Sequence, residues 1–336
     1  MSVFIVAEAG VNHNGDVELA NRLIDAAVEA KADAVKFQTF RADRLTSRGA
    51  EKADYQKERT HEKTQYQMLQ KLELSFDAFR SLKVYCDRKK IMFLSTPFDE
   101  ESANFLVLEL GMEKIKIGSG ELTNFPFLKH LAQFNKPMIL STGMAFLQEV
   151  DEAVWAIRSV SSHVLLTLLH CTTSYPCPFE EVNLQAMGTL RDAFHLPVGY
   201  SDHTVGIEVA TAAAALGAAV IEKHFTLDRS LEGPDHAASL EPGELKQMVA
   251  AIRNIELSLG SGRKEPSVSE GKFRAVARRS LVLKKSLKRG SVITEKDIAI
   301  KRPGDGIPPG DFQNIVGLTL KVDKREDEVL TWKDVE

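Results

Sequence analysis

Cysteine is scarce and odd in number: Cys86, Cys171 and Cys177 are the only thiols in a chain of 336 residues, and they stand at no zinc-finger or redox spacing. That excludes a disulfide framework and leaves reduced thiols as the expected state. An excess of one charge is also missing, since 43 Lys and Arg face 47 Asp and Glu for a formal charge of −4. Such balance argues against a nucleic-acid or membrane-surface binder and for small-molecule partners. Long apolar runs are absent too. Val164-Leu-Leu-Thr-Leu-Leu-His170 falls far below the roughly 18 residues of a membrane span, and acidic Glu8 arrives before any signal-like stretch develops. The chain therefore reads as cytoplasmic, with neither nucleic acid nor membrane among its partners. What remains is a globular composition, 43% hydrophobic and 27% charged, which removes the disordered, collagenous and coiled-coil classes.

Apolar β-branched runs alternate with helix-period runs from residue 3 to about residue 260, the pattern of parallel βα units. Strands are expected at Val3–Ala9, Ala34–Thr39, Ile91–Thr96, Lys114–Ser119, Pro137–Thr142, Val164–Cys171, Pro197–Asp202 and Ala219–Phe225. After the first, Ala20, Leu23, Ile24, Ala27 and Val28 recur at helical spacing, with Asp25 and Glu29 turned to water. Eight such units and no GxGxxG after the first strand favour an α/β fold of the (β/α)8 TIM-barrel type over an open doubly wound sheet. Residues 40–75 form a polar insertion expected as a solvated loop. The turn-rich stretch beginning Ser261-Gly-Arg-Lys-Glu-Pro-Ser267 marks a linker over 261–279 between a catalytic barrel, 1–260, and a small β-rich domain, 280–336. With roughly 55 residues, that last piece has a thin core and is expected to pack on a larger surface. No internal repeat is expected beyond the βα alternation.

In such a barrel, chemistry gathers at the C-terminal ends of the strands. The first strand ends in Glu8 and the second carries Lys36 and Gln38, two apart and so on one side. Lys116 precedes a Gly-Ser-Gly turn containing Ser119, and Ser141 and Ser201 end later strands. Two lysines beside three serines suit a phosphate or carboxylate. Glu8 reads equally as a general acid or base and as a structural partner of Lys36. His203 and His224 end adjacent strands, a spacing that leaves metal ligation and ordinary imidazoles equally open. Cys171 reads as an inert core thiol, and the basic run Arg274, Arg278, Arg279 as solvated linker.

Eight motifs in order carry a resemblance to a known family. They are Ala7-Glu-Ala-Gly-Val-Asn-His-Asn-Gly15, Val35-Lys-Phe-Gln-Thr-Phe40, Phe93-Leu-Ser-Thr-Pro-Phe98, Lys116-Ile-Gly-Ser-Gly-Glu121, Leu140-Ser-Thr-Gly-Met144, Tyr200-Ser-Asp-His-Thr204, Glu222-Lys-His-Phe225 and Gly233-Pro-Asp235. The sequence resembles the sialic acid synthases, enzymes that use phosphoenolpyruvate to make nine-carbon sugar acids. Lys301-Arg-Pro-Gly-Asp-Gly306 extends the likeness into residues 280–336, which are similar to the family's antifreeze-like (SAF) domain.

The resemblance implies a transferase that condenses phosphoenolpyruvate with an open-chain N-acetylated amino sugar and releases phosphate. N-acetylmannosamine stands first as acceptor. The alternative is an N,N'-diacetyllegionaminate synthase acting on a 2,4-diacetamido hexose. Matched residue by residue, Lys36, Lys116, Ser119, Ser141 and Ser201 hold phosphoenolpyruvate, with Gln38 beside them, and Glu8 is the acid-base group. His203 and His224 match ligands of a divalent metal, Mn2+ or Mg2+. Glu121, Tyr175 and Asp235 surround the sugar hydroxyls, and Arg302 of the small domain reaches the N-acetyl group. One departure is Thr173, where several members have Asn. The implied assembly is a domain-swapped homodimer in which one chain's small domain caps its partner's barrel. Read without the family, Lys36 or Lys116 also fits a Schiff-base pyruvate aldolase.

Overall fold

The computed structural model describes residues 2–336, and the chain divides into two compact units, Met1–Gly260 and Ser261–Glu336. In the first, strands β1 (Phe4–Gly10), β2 (Ala34–Thr39), β3 (Met92–Pro97), β4 (Ile115–Ile117), β5 (Met138–Ser141), β6 (Leu166–Cys171), β7 (Val198–Asp202) and β8 (Val220–His224) form one parallel sheet. Its order is β3-β2-β1-β8-β7-β6-β5-β4. The edges β3 and β4 lie against each other without a hydrogen-bonded ladder among the described residues, so the sheet is a nearly closed TIM barrel. β4 is shorter than the sequence suggests because Gly118-Ser-Gly leaves the ladder and enters a 3-10 turn, Ser119–Glu121.

The helix Val17–Glu29 shows how the outer layer forms. Asp16 caps it by accepting from the amides of Glu18 and Leu19, and Leu23, Ile24 and Ala27 are buried against the sheet. Asp25 is half-buried rather than fully solvated, since Tyr85 and Lys89 reach it. Residues 40–75 are not a solvated loop. They fold into helices Ala42–Leu45, Asp54–Arg59 and Gln65–Leu72, and Met68 and Leu72 pack with Val11 and Phe40. Among the described residues, no helix is long and apolar enough to cross a membrane.

The second unit begins with the exposed helix Val268–Ala277, closed by a Ser267–Glu270 capping box, inside the stretch expected as linker. Strands β9 (Ser280–Leu283) and β10 (Ile298–Lys301) pair antiparallel over a separate core that includes Leu281, Ile293, Ile315, Leu320 and Leu330. Contrary to expectation, this unit contains an internal repeat: 281–298 aligns with 318–335, matching Leu281 to Leu318, Leu283 to Leu320, Thr294 to Thr331 and Asp297 to Asp334. The backbone obeys the same exchange. Ile293 N donates to Leu318 O and Leu330 N to Leu281 O, both at 2.9 Å. Lys284 N donates to Asp297 O and Lys321 N to Asp334 O, both at 2.8 Å. At the pivot, Leu287 and Lys324 exchange both of their backbone bonds. Each copy closes on a Thr-to-Asp cap: Thr294 donates its amide and hydroxyl to Asp297, and Thr331 does the same to Asp334.

Candidate active site

Register brings the polar strand ends together. Glu8 is paired across the ladders with Lys36 on β2 and with His224 on β8, and Ser201 is paired with both Cys171 and Glu222. Period-two alternation then turns these side chains into the barrel. They line a cavity of about 170 Å3 together with Gln38, Thr96, Lys116, Ser119, Ser141, Thr173, Tyr175 and His203. A larger, mostly apolar cavity of about 470 Å3 opens at the opposite end, around Phe4, Met138, Arg158 and Leu165, without a comparable cluster of ionisable groups.

Four buried ionisable groups form the centre. Lys36 Nζ lies 2.6 Å from Glu8 Oε2 and 3.7 Å from Glu222 Oε2, and also donates to Thr96 at 3.0 Å. Lys116 Nζ lies 3.3 Å from Glu222 Oε1, which accepts from Ser201 at 3.1 Å. Burial of this kind costs several kcal/mol per ion unless partners compensate, and the compensation is uneven. Burial, seconded by Glu222, pushes the Glu8 carboxyl up to about 7 against the pull of Lys36. Glu222 goes the other way: burial acts to raise it, but Lys116 and Lys36 outweigh burial and hold it low. Lys36 is held upward, burial being outweighed by Glu222 and Glu8, whereas burial lowers Lys116; with Glu8 only partly ionised near neutral pH, the cluster has donors to spare for an anion. Ser141 Oγ is buried with no hydrogen-bond partner, so a donor already faces the same space.

The turn after β4 supplies the rest of the cradle. Ser119 Oγ accepts from Gly143 N at 3.0 Å. A Cβ at Gly143 would come within 2.3 Å of Thr173 Oγ1 and 2.8 Å of Ser119 Oγ, so only glycine permits this approach. Glu121 is buried in the same turn and accepts from Asn124 at 2.7 Å. Gln38 donates to Glu8 Oε1 at 3.4 Å. Arg302 belongs to the second unit, exposed directly after β10.

His203 and His224 lie side by side, ring centroids 5.5 Å apart. His203 Nδ1 donates to Thr172 O at 2.7 Å, which leaves Nε2 with its lone pair. His224 Nδ1 is buried without a hydrogen-bond partner, 3.8 Å from Asp235. Burial, helped by His203, Lys36 and Lys116, holds His224 well below the usual imidazole range and so in the neutral, ligating form. At His203 burial is outweighed by the Cys171 sulfur, and the ring is held upward, so a cation there competes with a proton. Among the described residues no group of three or more His, Cys, Asp and Glu converges as a metal site. The pair fits a divalent cation that takes its remaining ligands from substrate and water.

Three residues of this site escaped the sequence. Thr96 and Glu222 stood inside quoted motifs without a role, although Glu222 is two residues from His224 and therefore on its side of β8. Tyr55, from the insertion, stacks on Tyr175 at 5.3 Å, and Tyr175 lies 4.1 Å from His203. Lys52 is buried and donates to Thr60 O and Oγ1, stapling the segment that carries Tyr55. No periodicity announces such a cover.

Compared with known proteins, residues 23–264 match the NeuB family and residues 278–336 match the SAF domain. An N,N'-diacetyllegionaminic acid synthase of Legionella pneumophila is 50% identical over 100% of this chain and 95% of its own. The human N-acetylneuraminate-9-phosphate synthase is 36% identical, covering 97% and 91%. A crystal structure of the sialic acid synthetase of Leptospira borgpetersenii, in complex with citrate, superposes with a TM-score of 0.73 at 39% identity, covering 81% of this chain and 90% of that one.

Proposed function

The chain belongs to the NeuB family, and on that premise we propose that it is a nonulosonic acid synthase joining phosphoenolpyruvate to a 2,4-diacetamido hexose, with release of phosphate. N-acetylmannosamine, first among the acceptors on the sequence alone, gives way to the diacetamido sugar. The observation that carries this choice is the 50% identity, over the whole chain, to a diacetyllegionaminic acid synthase, against 36% to the human N-acetylneuraminate-9-phosphate enzyme.

In this reading Lys36 and Lys116 hold the phosphate and carboxylate of phosphoenolpyruvate, with hydroxyls of Thr96, Ser119, Ser141 and Ser201 around them. C3 of phosphoenolpyruvate forms the new bond to the aldehyde carbon of the sugar, whose oxygen takes up a proton. Glu8, protonated in part near neutrality, stands where it can give that proton or take one from the water that adds at C2. The resulting intermediate loses phosphate by C–O cleavage, so the cradle has to grip a dianion without activating phosphorus, as ammonium and hydroxyl donors do. A divalent cation on His203 and His224, Mn2+ or Mg2+, would polarise the aldehyde and orient water. Glu121, Tyr175 and Asp235 face the sugar side. Arg302, exposed on its own unit, is assigned to the acceptor's N-acetyl group in a domain-swapped homodimer.

Phosphate release, measured with phosphoenolpyruvate plus either sugar, tests the proposal. Faster turnover with the diacetamido hexose is expected; a preference for N-acetylmannosamine would reverse the acceptor assignment. Inactivation by borohydride in the presence of substrate, with indifference to chelators, would instead identify a Schiff-base aldolase.

A further inference from the structure

Behind the catalytic face, on the outer side of β7 and β8, lies a second buried charge pair that the reaction does not touch. Lys223 Nζ is 2.7 Å from Asp202 Oδ2, and both side chains are fully enclosed. The same ammonium donates to the Thr204 carbonyl at 2.7 Å. Asp202 Oδ1 in turn accepts from the Thr204 amide at 2.9 Å and from its hydroxyl at 2.8 Å. Three residues are thus tied into one knot with no exposed member.

Its place in the sequence is what gives the knot meaning. Asp202 and Thr204 flank His203, and Lys223 immediately precedes His224. The ladder between β7 and β8 has its last pair at Asp202 and Lys223, so the backbone of His203 has already left the sheet. No ladder hydrogen bond fixes it there: the Cys177 amide donates to the His203 carbonyl at 2.8 Å and the ring donates to Thr172 O, but neither ties His203 to β8. The knot does, by clamping the residues on both sides of His203 to the residue next to His224. A fully buried ion pair is a poor device for stability alone, because well-packed apolar side chains of similar volume do as well or better. Retention of charge here is accounted for by what it holds in place.

We propose that the Asp202–Lys223–Thr204 knot is a positioning device that sets the mutual placement of the His203 and His224 imidazoles and thereby the affinity for a divalent cation. This rests on the reading of those two histidines as cation ligands. Groups that orient metal ligands from behind commonly contribute 10- to 100-fold in affinity.

The test replaces both charges at once, Asp202→Leu with Lys223→Met, so that neither is left buried alone. Manganese is titrated into the metal-stripped full-length protein and the free-ion signal is read by electron paramagnetic resonance, with Tm measured separately in chelator. The expected result is a cooperative melt at a somewhat lower Tm, since the buried Thr204 amide, hydroxyl and carbonyl lose their partners, together with Mn2+ binding weakened at least about tenfold. Wild-type affinity in the double variant would overturn the proposal and leave the pair a structural one. Should the double variant not fold, Asp202→Asn with Lys223→Met keeps an acceptor for the Thr204 amide and hydroxyl while removing both charges. Several-fold weaker binding is expected there, and unchanged affinity overturns the proposal equally. Mn2+ binding that survives His203→Ala undiminished would overturn the ligand reading itself, and the proposal with it.

Discussion

Buried carboxylates occur in both units, and the two units treat them in opposite ways. In the barrel, Glu8 and Glu222 share two lysines, a serine hydroxyl nearby has no partner, and burial drives Glu8 up to about 7. In the second unit, Asp297 meets Lys285 at 2.8 Å and receives both the amide and the hydroxyl of Thr294. The Lys285 and Thr294 hydrogen bonds hold it down at about 2. One residue class therefore reports two purposes. A carboxylate whose donors are supplied locally closes a turn, whereas one left short of donors beside paired lysines waits for a ligand.

Glu8→Gln should break the comparison most sharply. The variant keeps the size and removes proton transfer, so kcat is expected to fall by about 10²- to 10⁴-fold while Tm holds or rises. An unchanged rate would move Glu8 into the same class as Asp297. A mixing experiment asks next whether the second unit serves chemistry through an exposed charge rather than a buried one. Arg302→Ala chains mixed with Glu8→Gln chains should regain up to about a quarter of wild-type activity, because half of the dimers would carry one site with neither lesion. No recovery after verified subunit exchange would favour an arrangement within one chain.

Asp297→Asn should do the reverse of Glu8→Gln and cost stability, about 1–2 kcal/mol at neutral pH. The pH dependence has a definite sign. With a folded pKa of about 2 below the usual 3.8, the unfolded chain takes up protons first. The contribution is therefore complete above about pH 4 and lost as pH falls towards 2, and the difference in stability between variant and wild type should close over that window. Urea melts of the second unit at several pH values would read it, and a constant difference would refute it. The smallest effect is expected from Tyr55→Leu. Loss of the stack on Tyr175 should raise KM for the sugar severalfold and leave KM for phosphoenolpyruvate alone; equal changes in both would make the insertion a general support.

Much of the barrel was legible because its strands are β-branched runs buried on both sides, and length told them from the amphipathic helices. The inward set followed from period two, as with Lys36 and Gln38. Sequence fell short where tertiary contact decides. Tyr55 joins the site only because Lys52 and Thr60 staple its segment over the barrel mouth. The repeat in the second unit was missed for another reason: it joins apolar matches such as Leu281 with Leu318 to cap matches such as Thr294 with Thr331, but at a spacing far longer than the windows that find strands and helices. The proposed domain-swapped assembly came from the family resemblance; the residues alone offered only a thin second core expected to pack on a larger surface.

The repeat also governs how the second unit comes apart. Beside the bonds each half keeps, the halves exchange others, since Ile293 relies on Leu318, Leu330 on Leu281, and Leu287 and Lys324 on each other. Neither half is a subassembly that could survive the other's departure. Such a fold has few cheap openings: fraying that runs back from the chain end into Asp327–Leu330 strips partners from β9 as well, so amides near Leu281 and amides near Leu330 should exchange with solvent at one shared rate, as a single foldon.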